Sequence, residues 1–67
     1  MLSSVNERRE KILWAAYKDG HVSVKEMAEV LDVSEATVRR DLQGIAAEGL
    51  LKINHGGASV LKSFDYS

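Results

Sequence analysis

Along the first twenty positions, apolar residues recur with the period of a helix. Ile12 and Ala16 stand one turn apart on one face, and Leu13 and Tyr17 follow on the adjoining one. Ahead of them, Ser4-Val5-Asn6-Glu7 has the Ser-x-x-Glu spacing of a capping box, in which hydroxyl and carboxylate satisfy backbone amides left open at a helix start. Gly20 closes the segment, because glycine most easily takes the left-handed conformation that stops a helix. A first helix is predicted over Val5–Asp19. His21-Val22 leaves room only for a short bridging strand. Ser23-Val24-Lys25-Glu26 then repeats the capping spacing before Met27, Ala28 and Leu31, which predicts a second helix over Val24–Leu31. After a break at Asp32-Val33, Ser34 is a preferred N-cap, and Val38, Leu42, Ile45 and Ala46 keep helical spacing as far as Gly49. The third helix is expected over Glu35–Glu48.

Two short helices joined by a brief turn that carries an apolar residue, here Val33, match the helix-turn-helix unit. Beyond Gly49 the period changes. Leu51 and Ile53 alternate with Lys52 and Asn54, His55-Gly56-Gly57 supplies a turn, and Ala58-Ser59-Val60-Leu61 returns as a second strand. A hairpin after the third helix is a wing, so the expected fold is mainly α with a small β wing, a three-helix winged helix-turn-helix. Residues 1–61 are expected to form this domain. Residues 62–67 have no clear period and read as a tail or the start of a linker to an absent effector domain, as in an excised amino-terminal module.

Sixty-seven residues make one small domain with little space for a catalytic pocket. The absence of cysteine removes disulfides and thiolate metal sites, and two histidines far apart in sequence do not suggest zinc. No metal or cofactor is expected. No paired carboxylates or nucleophile–base set suggests an enzyme. The polar Met1 to Glu10 stretch and the lack of a long apolar run argue against export and membrane insertion, which leaves a cytosolic setting. The net charge of -1 lacks the basic excess expected of a nucleic-acid binder, so any attraction for phosphate must come from local placement.

The third helix offers that placement. At roughly 100° per residue, Val38, Leu42, Ile45 and Ala46 share one stripe, and Ala36, Thr37, Arg40, Gln43 and Ala47 lie opposite, with Arg39 on the flank. Small residues around long basic ones suit entry into a major groove. The planar fork of an arginine matches guanine O6 and N7, which makes Arg40 the leading base reader. Arg39, turned aside, is placed for either a groove-edge base or a phosphate. Ser34 and Thr37 stand at the helix start, where open amides favour a phosphate oxygen. Lys52 and His55 are candidates for backbone or minor-groove contact from the wing. Asp41 would repel phosphate and is expected to orient an arginine or pair with another basic side chain. Gly44, outward and costly in a helix interior, reads as tolerated weakness, and Gly56-Gly57 as a turn requirement. Trp14 and Tyr17, beside core positions, are expected to pack structurally.

The stretch Val33-Ser34-Glu35-Ala36-Thr37-Val38-Arg39-Arg40-Asp41-Leu42, followed by Glu48-Gly49-Leu50-Leu51 and His55-Gly56-Gly57-Ala58, resembles the DeoR family of bacterial regulators. Arg8, Ile12, Gly20, Val22-Ser23-Val24 and Met27-Ala28 extend the likeness over nearly the whole chain. The resemblance implies an operator-binding reader, joined in the full-length homo-oligomer to a larger domain that senses a phosphorylated metabolite, and repression of genes for sugar or nucleoside metabolism. It carries recognition contacts onto Ser34, Thr37, Arg39 and Arg40. The wing departs from the family pattern, since a basic residue is common where Ile53 stands and an apolar residue or threonine where Asn54 stands. The isolated reader has no coiled-coil pattern and is expected to be monomeric. The rival reading is a winged helix that binds protein rather than DNA, which the near-neutral charge would suit.

Overall fold

The computed structural model describes residues 4–61. The elements follow in the order α1 (Val5–Asp19), β1 (His21–Ser23), α2 (Val24–Leu31), α3 (Glu35–Ala47), β2 (Leu51–Asn54) and β3 (Gly57–Val60). Each helix opens on a serine whose hydroxyl accepts a backbone amide three residues on: Ser4 from Glu7 at 3.4 Å, Ser23 from Glu26 at 3.2 Å and Ser34 from Thr37 at 3.1 Å. Only the hydroxyl half of each anticipated capping box forms. At the far end of α1, Gly20 takes φ +91° and its N–H donates to the Ala16 carbonyl, so the chain stops where the sequence indicates. Asp32 ends α2 in the same left-handed region at φ 58°, a conformation that aspartate tolerates better than most side chains. The Val33 N–H then donates to the Ala28 carbonyl at 3.0 Å, which folds the turn back against α2 and leaves Val33 half-buried against the core.

α3 ends one residue earlier than the apolar period suggests, with Glu48 as its C-cap. The returning strand also begins and ends one residue earlier, at Gly57 and Val60. A larger difference lies in the sheet. The bridging segment extends to Ser23 and pairs with β3 (Val22 opposite Ala58), and β2 pairs with the other edge of β3 (Ile53 opposite Ala58). The wing hairpin is thereby part of a three-stranded antiparallel sheet of order β1-β3-β2. Two backbone bonds lock this joint: Val24 N–H to the Gly56 carbonyl at 2.9 Å and Val60 N–H to the Gly20 carbonyl at 3.0 Å.

Gly57 sits at this junction, and its need for glycine is one of space. A Cβ there would overlap the Val22 carbonyl oxygen and lie 3.0 Å from the Val22 carbonyl carbon and 3.2 Å from Ser23 Cα, all of it backbone. Gly56 alone meets the turn requirement assigned to the pair, with φ +83° and open space where a side chain would stand.

The core lies where the three helices meet the inner face of the sheet. Ile12 and Ala16 of α1, Val38 of α3 and Ala58 of β3 are fully excluded from solvent, and Leu42, Ile45 and Leu51 nearly so. Burying a leucine or isoleucine contributes about 1.5–3 kcal/mol, so these few residues hold α3 in place. Ala46, at the margin of the stripe, is half-buried. Trp14 and Tyr17 do not pack as expected: Trp14 is 74% exposed and Tyr17 50%. The cause is geometric, because α1 presents Ile12 and Ala16 to the core and Trp14 lies about 200° from Ile12 around the helix. Trp14, Tyr17, Leu13 and Glu10 instead line a shallow surface groove. Among the described residues, no helix is long and apolar enough to cross a membrane.

Candidate nucleic-acid interface

α3 buries Val38, Leu42 and Ile45, which fixes its rotation and therefore the side chains it offers outward. Ala36, Arg39, Arg40, Gln43 and Ala47 are exposed, as the wheel indicates, whereas Thr37 is half-buried on the edge of that face. The two arginines have different surroundings. Arg39 donates through Nη2 to Glu35 Oε1 at 3.2 Å, one turn earlier. An exposed pair of this kind contributes a few tenths of a kcal/mol and yields readily to a stronger anion. Arg40 makes no hydrogen bond or ion pair among the described residues, so its guanidinium is available to a ligand.

Asp41 follows directly, and its position answers the question of where a carboxylate beside two arginines goes. It is turned inward, 3% exposed, and accepts from Arg8 of α1 through Nε at 2.6 Å and Nη2 at 3.3 Å. The expectation that it pairs with another basic side chain holds, and the partner is Arg8. The hydrogen bond to Asp41, the opposing cost of burial and the charge attraction together raise the Arg8 pKa above its ordinary value, so the guanidinium stays charged. The pair ties α1 to α3 and spends the acidic charge internally, leaving the outer face of α3 basic.

At the helix start the Ser34 and Thr37 hydroxyls lie 3.0 Å apart, with either able to donate. Ser34 Oγ already accepts the Thr37 amide. Whichever hydroxyl donates to the other, one hydroxyl hydrogen remains for an outside acceptor beside the positive end of the helix.

α3 and the wing enclose a concavity of about 360 Å³ lined by Arg39, Leu42, Gln43, Ile53, Asn54 and His55, among others. The structure thus brings Arg39, Gln43 and His55 to one cleft. Lys52 is not among its lining residues: it alternates with the buried Leu51, faces the other side of the sheet and stands opposite Ser59. Asn54 donates through Nδ2 to Ser59 Oγ at 2.6 Å, which ties the end of β2 to β3. Among the described residues, no cluster of three or more His, Cys, Asp or Glu forms that could hold a metal ion.

Sequence reasoning missed one basic side chain at this surface. Beside Gly44 of α3, the guanidinium of Arg9 from α1 fills the space that a Cβ would take, with Nη2 and Cζ inside it and Nη1 3.0 Å away. The signal in the sequence was the glycine itself, a poor helix former kept in the middle of a helix.

A helix held by its apolar stripe, offering unpaired arginine on a convex outer face beside a β wing, defines a winged helix-turn-helix domain of the DNA-binding class. Comparison with known proteins agrees: the chain belongs to the family of the DeoR-like helix-turn-helix domain, whose profile matches residues 8–64. It is 48% identical over 56 residues to the lactose phosphotransferase system repressor of Lactococcus lactis subsp. lactis, covering 84% of this chain and 22% of that protein. It is 40% identical over 57 residues to the HTH-type transcriptional regulator GolR of Listeria innocua, covering 85% and 22%. To the L-fucose operon activator of Haemophilus influenzae it is 44% identical over 61 residues, covering 91% and 24%. The chain therefore spans about a quarter or less of the length of these relatives. No solved structure matches it.

Proposed function

We propose that the domain reads a double-stranded operator by laying α3 in the major groove, within a cytoplasmic bacterial regulator that represses genes of sugar metabolism. The observation that carries the groove assignment is Arg40, exposed, without a partner among the described residues, and flanked around the helix by Ala36 and Ala47, which leave room for base edges. In this reading Arg40 reads a guanine and Gln43, beside it, contacts an adjacent base. Arg39 exchanges Glu35 for a phosphate at the wing side of the groove. Ser34 and Thr37 hold a phosphate at the helix start. His55, and Lys52 from the outer face of the sheet, approach the flanking backbone. The domain performs no reaction of its own.

The sugar-operon assignment draws on relatives described as repressors of a lactose phosphotransferase system and of a glycerol-3-phosphate regulon. A fucose operon activator is also among them, so a shared reader serves both signs of control. Sensing of a phosphorylated metabolite and assembly into a homo-oligomer belong, in this proposal, to sequence beyond the domain. The test is duplex binding against salt concentration. Affinity falling steeply and linearly on a logarithmic plot, with tighter binding to duplexes selected from a random library, is the expected result. No association at low ionic strength would refute it in favour of a protein-binding winged helix.

A further inference from the structure

Arg8 and Arg9 are neighbours on α1, yet the structure uses them differently. Arg8 is consumed by Asp41. Arg9 lies half-buried against α3, its Nε is shut off from water without a hydrogen-bond partner, and no carboxylate among the described residues pairs with it. Its guanidinium rests in the gap left by Gly44. Gly44 is about 40° around α3 from Arg40 and about 20° from Thr37, so this cation is held at the rim of the outward face. The rim is the one away from the wing: Arg39 lies about 100° from Arg40 in the opposite sense.

Building on the DNA-reading proposal above, we infer that Arg9 is a third basic contact, gripping a phosphate of the strand that borders the major groove on the α1 side, and that Gly44 exists to seat it. Arg39 and His55 face one wall of the groove from the wing cleft, and Arg9 faces the other, so α3 is flanked by cations on both sides. Held by packing on the glycine, the guanidinium is positioned before binding and loses little freedom when it binds. A phosphate oxygen is an acceptor suited to an arginine that has no anion beside it among the described residues.

The experiment measures binding of the full chain by fluorescence anisotropy, across a salt series, to a duplex selected from a random library and to a scrambled one. Arg9→Gln should lower the slope of log K against log salt by about 0.9, which at 0.1 M salt is a loss of about eightfold, equal for both duplexes. Arg9→Lys should keep the slope. Gly44→Ala should reproduce the Arg9→Gln loss, add nothing in the Arg9→Gln background, and leave helix content and thermal stability undiminished, because alanine favours a helix. An unchanged slope in Arg9→Gln, with normal binding by the unsubstituted chain, overturns this inference alone. Failure of the unsubstituted chain to bind overturns the DNA reading with it. A Gly44→Ala loss that persists without Arg9 would assign the glycine to close approach of the DNA and refute the seating role.

Discussion

Gly57→Ala is a one-methyl perturbation whose cost the geometry sets. The added carbon would occupy the space of the Val22 carbonyl oxygen and press on Ser23 Cα, and neither can swing aside as a side chain could. β1 is held between the C-cap of α1 and Ser23, the N-cap of α2, so it moves only by breaking the Ser23–Gly57 pairing or shifting α2. Overpacking of this kind costs about 1–3 kcal/mol, and losing one backbone hydrogen bond adds about 1 kcal/mol, giving about 2–4 kcal/mol. For a chain of 67 residues the whole folding free energy is about 3–10 kcal/mol, so a large share is at stake. Gly56→Ala is the control. It meets nothing within 4 Å but must adopt φ +83°, at a cost of about 1 kcal/mol. Urea unfolding should be followed by far-ultraviolet circular dichroism, because the exposed Trp14 changes surroundings little on unfolding. Gly57→Ala as stable as the parent, or less damaged than Gly56→Ala, would refute the close-approach argument.

Further substitutions separate the roles on and behind α3. Arg40→Ala should cost about 1–3 kcal/mol of discrimination, roughly 5- to 150-fold, at a single base pair, seen by comparing binding to duplexes mutated one position at a time. Thr37→Ala should weaken binding alike on all duplexes, and a base-specific loss there would reverse the assignment. Leu42→Ala, 1% exposed, should cost about 2–5 kcal/mol in urea unfolding and abolish specific binding with the fold. Trp14→Ala should stay within about 0.5 kcal/mol of the parent, and a larger loss would contradict the exposure of that ring.

The three helices were legible because two independent signals coincide at each: a serine cap at the start and a 3.6-residue apolar stripe such as Val38, Leu42 and Ile45. The face of α3 followed from that stripe, and the exposed set Ala36, Arg40, Gln43 and Ala47 follows from the face. What escaped the sequence depends on which neighbour covers a side chain. Trp14 neighbours core residues in sequence, but the helix turns it about 200° from Ile12, and among the described residues no second layer covers it there. The pairing of β1 with β3 joins residues far apart in the chain across a three-residue strand too short to show alternation. Arg8 and Arg9 are indistinguishable by type, and only the approach of α1 to α3 sends one to Asp41 and the other onto Gly44.

The most direct test of the major-groove assignment is methylation interference on the selected duplex, because a methyl group on guanine N7 blocks only an approach from that groove. Prior methylation of one particular guanine should prevent binding by the unsubstituted chain, and Arg40→Ala should no longer notice it. Binding indifferent to N7 methylation, or blocked by it equally in both proteins, would contradict the account.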